Sequence, residues 1–233
     1  MNRILDVTRL HTVAWLQQLI WPWIIMGISF VVNLLIFAAI GETTTPDGNF
    51  TGGLMSLYIV CAIVAALSIA QVFPFALGMG VTRRTFYLAT ALVNVVQAVA
   101  YALVLYVLKL IEGATGGFGI DLRFFRVPFV DVHNGFLQIL VFAVPFLFLN
   151  FLCVLAGVLI LRWGANGLFA AGGISLLVLG LLAALITWQR WWDEIGHWLT
   201  HSSQLSLLVG WPALVAAVAA VGGMVAIRRT NAT

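Results

Sequence analysis

Gly78-Met79-Gly80-Val81-Thr82-Arg83-Arg84-Thr85-Phe86 is a short polar turn between two apolar runs, residues 54–77 and 86–111. Each run exceeds the roughly 20 helical residues needed to cross a bilayer's hydrocarbon core. A turn of this kind between two such runs makes the chain a membrane hairpin. Its paired arginines, Arg83 and Arg84, place it on the cytoplasmic side, because cytoplasmic loops carry an excess of Lys and Arg.

The same reading extends in both directions. Before the turn, residues 19–40 form a first span, with Trp15, Trp21 and Trp23 at its start, where indole rings favour the headgroup layer. After it come spans at 136–161, 168–188 and 207–227, giving six in all. Pro74 sits in the last turns of the second span, where it is expected to kink or end the helix. Residues 41–53 are rich in Thr, Gly, Asp and Asn, which is loop chemistry. Residues 112–134 are Gly-rich and then aromatic, with Phe124, Phe125 and Phe129 among charged residues, and are expected to fold onto the membrane surface. Residues 162–167 form a tight turn, and 189–205 form a Trp-rich amphipathic stretch. Residues 1–18 place Ile4, Val7, Leu10, Ala14 and Trp15 on one side of a helix, a moderate amphipathic signal that suits a helix lying in the inner interface. The apolar run at 19–40 is too long for the core of a cleavable signal peptide.

Composition agrees. The chain is 63% hydrophobic and 8% charged, where a soluble domain carries about 25% charged residues. The fold expected is therefore an all-α polytopic membrane protein, one transmembrane domain over residues 1–233. Six spans put both termini on one side. That side holds Arg3, Arg9, Arg83, Arg84, Arg162, Arg228 and Arg229 against a single acid, Asp6. The other holds Lys109, Arg123, Arg126 and Arg190 against seven acids. This asymmetry points to cytoplasmic termini in a plasma (inner) membrane. Ten arginines to one lysine, with abundant alanine, suit a bacterial source. No basic run resembles a phosphate-backbone binder, so nucleic acid is not an expected partner, whereas membrane lipids are. Cys61 and Cys153 lie inside apolar runs and read as core residues.

Several chemistries are missing. There is no P-loop pattern, so no ATP site of that kind is expected on this chain. No ionisable residue falls mid-span, where it would cost about 2.5–3.5 kcal/mol and usually marks proton coupling or catalysis. The spans do contain Asn33, Gln71, Asn94, Gln97 and Asn150. Asn94, Gln97 and Tyr101 share a helix face with Tyr87 and Thr90, and read either as a translocation path or subunit seam, or as ordinary interhelical hydrogen bonding. Ala219-x-x-x-Gly223 permits close helix approach. Glu194, His197 and His201 share a face at i, i+3, i+7; as surface groups beside interfacial tryptophans they read first as a polar edge, with an outer-face metalloenzyme site as the lesser alternative.

The turn itself, Phe75-Ala-Leu-Gly-Met-Gly-Val-Thr-Arg-Arg-Thr-Phe-Tyr-Leu, resembles the loop between the second and third spans of ABC transporter permeases of the type-2 exporter family. The topology, with an interfacial N-terminal helix and an outer segment before the last span, is also similar. The resemblance implies a membrane permease subunit of an ATP-driven exporter, itself not an enzyme and holding no cofactor. ATP and magnesium would be bound by a separate ATP-binding cassette subunit, docked on a short helix carrying Gly80, Thr82, Arg83, Arg84 and Phe86. A second permease copy, identical or related, would complete the assembly. The Trp-rich segment at 189–205 would match the family's re-entrant outer helices. The alternative is a non-transporting membrane scaffold, sensor or immunity protein, which needs only packing and surface contacts.

Overall fold

The computed structural model describes residues 15–41 and 49–228. The expected interfacial helix lies outside the described residues for positions 1–14, as do the tip of the first polar loop (42–48) and the tail beyond 228. Positions 15–18 belong to the first membrane helix.

Six helices are long and apolar enough to cross a membrane: Leu19–Ile40, Met55–Gly78, Arg83–Ala114, Gly135–Gly167, Phe169–Gln189 and Ser206–Arg228. The chain is thus a multi-pass, all-α membrane protein. In order, α1 is Trp15–Ile40, α2 Met55–Gly78, α3 Arg83–Ala114, α4 Gly135–Gln189, α5 Trp192–His201 and α6 Trp211–Arg228. A widened turn, Ser206–Gly210, leads into α6.

Three local features set the connections. Pro74 does not stop α2, which runs on to Gly78. The stop is Gly80, at φ +78°, with its N–H donated to Leu77 O at 2.9 Å and that of Val81 to Ala76 O at 3.1 Å. This double closure is a Schellman cap, and only glycine takes the left-handed position without penalty. The expected turn at 162–167 rests on Gly164 (φ 68°, ψ −171°), where the helical run of α4 breaks in a conformation essentially restricted to glycine. It separates the fourth span from the fifth. The third span continues past Ile111 to Ala114, because the charges at its end are buried against protein.

In lipid no hydrophobic drive holds helices together, so packing and internal polar contacts must do so. The fourth span is the centre: α4 packs against α2, α3 and α6. One core cluster, at the end away from the turn, joins Leu57, Tyr58, Tyr101, Leu105, Phe142 and Phe146. A second, at the turn end, joins Ile69, Phe73, Phe86, Val154, Val158 and Ile227. Gly157 brings α4 onto α2, where an added Cβ would stand 2.8 Å from Ala66 O. On α6, Ala216, Ala219 and Gly223 are buried. A Cβ on Gly223 would meet the Tyr87 hydroxyl at 2.5 Å, and that hydroxyl donates to Ala220 O at 2.7 Å. The small-residue pattern at 219–223 therefore seats α3 of the same chain. The fifth span contrasts with the others, since none of its apolar window is buried.

Candidate functional site

Two ends of the bundle carry polar structure, and the sequence pointed to only one of them. At the turn end, Thr82 caps α3: it has extended φ/ψ and accepts the Thr85 N–H at 3.2 Å, meeting one of the donors a helix N-terminus leaves open. Arg83 is half-buried and its Nη1 donates to Arg228 O, the last residue of α6, at 3.1 Å. Arg84 is exposed. Phe86 is 1% exposed and lies edge-to-face with Phe73 at 5.3 Å. Of the residues expected to contact a partner, Gly80, Thr82 and Arg84 therefore face outward, Arg83 fastens the turn to the sixth span, and Phe86 points into the core. The expected separate short helix is absent, because Thr82–Phe86 forms the cap and first turn of α3.

The polar stripe of α3 faces inward. Thr90, Asn94 and Tyr101 are buried and Gln97 is half-buried. Tyr101 donates to Leu19 O at 3.2 Å, and its ring meets Trp23 edge-to-face at 5.0 Å, which ties α1 to α3. Asn94 lines a cavity of about 20 Å³ between α2 and α3, and its Nδ2 has no partner among the described residues. Asn33 is bonded within the chain, through Thr51 Oγ1 at 2.7 Å and Ser29 O at 2.8 Å.

The same α3 face continues to the far, or distal, end. Lys109 and Glu112 stand about one and two turns beyond Leu105, both buried. The Glu112 carboxylate accepts three successive backbone N–H groups, from Phe124 at 3.0 Å, Phe125 at 2.7 Å and Arg126 at 2.9 Å. Lys109 Nζ reaches Asp131 at 2.5 Å, Gln138 Oε1 at 2.7 Å and Val132 O at 3.1 Å. Arg126 pairs with the same Asp131 at 3.3 Å. Burial pushes the Asp131 carboxyl upward, but the hydrogen bond and charge of Lys109, then those of Arg126, outweigh it and hold the group below its ordinary value.

Below this polar clasp lies an aromatic plug. Phe124 and Phe125 are buried and ring Phe30 of α1, with centroids 5.3 and 6.1 Å away. A side chain at Gly53 would run into the Phe124 ring. Residues Asn49–Phe50 and Leu122–Arg123 pair as a short parallel ladder, joining the first loop to this segment. Segment 112–134 is therefore a cover built onto the helix ends, where the sequence suggested a loop lying on the membrane. The available signal was the i, i+3 spacing of Lys109 and Glu112 on the face that already carried Asn94, Tyr101 and Leu105.

Glu194, His197 and His201 lie on α5 and are exposed. The two imidazoles stack at 3.9 Å, and His201 Nδ1 is occupied by His197 O at 2.9 Å. Among the described residues no group of three such side chains is placed to hold a metal. Cys61 and Cys153 are both free thiols.

No family model matches the chain, and neither a characterised protein nor a solved structure is similar to it.

Proposed function

We propose that the chain is the membrane-spanning permease subunit of an ATP-driven exporter, taking its drive from a separate ATP-binding subunit at the Thr82–Arg84 turn. The observation that carries this reading is the construction of that turn. A force applied to Arg84 meets a Schellman cap on α2, an N-cap on α3 and, through Arg83, the end of α6. Three spans thus converge on one exposed, cationic, mechanically stiff corner, which suits a contact that transmits motion. Hydrolysis of ATP falls to the partner chain, and a second permease copy supplies the other half of the pathway. The basic excess at this end supports its placement in the cytoplasm, with both termini.

A second reading, a non-transporting scaffold or sensor, draws on a different observation. The cavity beside Asn94 has room for about one water, whereas the elaborated surface is the distal cover. One experiment separates the two. The tagged chain is purified in mild detergent, co-purifying chains are identified by mass spectrometry, and ATP hydrolysis is assayed. A stoichiometric ATPase that is lost on reversing Arg83 and Arg84 supports the permease. A folded preparation without one supports the scaffold.

A further inference from the structure

The distal cover holds a polar cleft of about 410 Å³ over the end of α3. A second cleft, of about 320 Å³, shares Gly113, Arg126, Asp131 and His133 with it. The two adjoin at Gly113, over which the Arg126 side chain lies, its Nη1 3.1 Å from where a Cβ would stand; Arg126 lines both, and together they make one trough. One end of the trough is lined by Asp121 and Arg123. The other is lined by Leu110, which is 52% exposed on the apolar surface of the third span. The trough therefore runs from the polar cover to the exposed apolar side of the third span near its distal end.

Its charges are of two kinds. Glu112 is buried with both oxygens committed to backbone N–H groups, and Asp131 is held between Lys109 and Arg126. These four groups balance. Asp121 and Arg123 make no ion pair among the described residues, yet both line the trough. Arg126 is 46% exposed on its side chain and retains N–H groups beyond those given to Asp131. A neutral trough that offers free guanidinium donors and one free carboxylate matches a ligand that itself carries both signs.

We propose that this trough seats the zwitterionic headgroup of a phospholipid bearing a primary ammonium. The phosphodiester lies against Arg123 and Arg126, a guanidinium fork that suits its oxygens. The ammonium lies on Asp121, and the acyl chains leave past Leu110 along the third span. An anionic lipid would satisfy the arginines but leave Asp121 facing negative charge. This inference concerns the distal end and stands apart from the permease reading.

The test uses the delipidated full chain in detergent. It is titrated with phosphatidylethanolamine or with phosphatidylglycerol of the same acyl chains, and bound lipid is counted by native mass spectrometry. Phosphatidylethanolamine is retained about threefold or more over phosphatidylglycerol. Asp121→Asn brings it down to the phosphatidylglycerol level, Arg123→Gln lowers both lipids, and Arg123→Lys restores part of the loss. Thermal unfolding of each variant reports folding, and the Asp121→Asn result stands by itself if Arg123→Gln does not fold. Equal retention of the two lipids by the unaltered chain overturns the proposal, as does unchanged retention in the variants. Displacement of the lipid by soluble phosphoethanolamine at equal concentration assigns the site to a soluble molecule and overturns the lipid as its source.

Discussion

The backbone N–H of Phe125 donates to the Glu112 carboxylate at 2.7 Å, across thirteen residues of chain. With its neighbours Phe124 and Arg126 it forms a set of three donors on one buried acid. Charge-assisted bonds of this kind contribute about 1.5–3 kcal/mol each, and orphaned buried donors cost a similar amount. Glu112→Ala is expected to destabilise the chain by about 2–4 kcal/mol, with Glu112→Gln in between because an amide oxygen still accepts. Amide exchange resolved to residues 124–126 is the check: those amides should lose protection in Glu112→Ala while α2 and the turn end keep theirs.

The Asp131 site gives a pH dependence whose sign follows from its direction. Its folded value lies below the ordinary 3.8, so the unfolded chain binds the proton more readily. The contribution is present above that ordinary value and is lost as pH falls through the lower folded one. Acid should therefore loosen the cover before it loosens the spans. In Asp131→Asn this acid-sensitive step disappears, while stability at neutral pH falls because Lys109, 8% exposed on its side chain, loses its counter-charge. Backbone amide exchange within residues 112–134, compared with that of the spans from pH 7 downward, reads both effects.

How far these features could be read in advance depended on the physics of each segment. The spans were legible because twenty apolar residues have few fates, and predicted and observed ends differ by only a few residues, Gly135–Gly167 being the widest departure. The departure lies within the expected turn itself: the helical run breaks at Gly164 and the span is bounded at Gly167, and composition does not say which residue of such a turn makes the break. The capping of the turn was implicit in Gly80 and Thr82, but the inward rotation of Phe86 depends on Phe73, which lies on another helix. The cover was the hardest to read. Lys109 lay at the end of an apolar run and Glu112 opened the polar connection; the burial of Glu112 rests on backbone donors twelve to fourteen residues away, and that of Lys109 on Asp131, Val132 and Gln138, which no local pattern encodes.

Gly223 and Tyr87 form a contact that a double substitution can isolate. In Gly223→Ala the new methyl meets the Tyr87 hydroxyl at 2.5 Å, so α3 and α6 must part or the hydroxyl must leave Ala220 O. A loss of about 1–3 kcal/mol follows. Tyr87→Phe removes the nearest atom and leaves the ring edge at 3.2 Å, so Gly223→Ala should cost less in that background. A coupling of about 0.5 kcal/mol or more in detergent unfolding supports direct contact, whereas strict additivity rejects it.

Arg83 and Arg84 are neighbours with separable roles. Arg83→Glu breaks the bond to Arg228 O and should cost about 0.5–1.5 kcal/mol, seen as earlier fraying of the end of α6. Arg84→Glu alters an exposed side chain and should leave unfolding unchanged. On the permease reading, Arg84→Glu alone lowers partner-coupled ATP hydrolysis about tenfold or more. Equal coupling in Arg84→Glu and the unaltered chain would show that the exposed arginine only fixes topology.

Asn150, in the middle of the fourth span, is 1% exposed, and neither its Oδ1 nor its Nδ2 has a partner among the described residues. An amide held this way costs about 1–3 kcal/mol relative to an apolar side chain of similar volume. Asn150→Leu is therefore expected to raise stability by about 1–2 kcal/mol. Burial at this depth leaves no route for a second chain to reach the amide without moving α4. The same substitution should consequently leave the oligomeric state unchanged, as read by light scattering in detergent. A destabilised Asn150→Leu would mean that the amide is satisfied in the membrane by a partner the isolated fold does not provide, such as a trapped water, and high-resolution density beside Asn150 would then identify it.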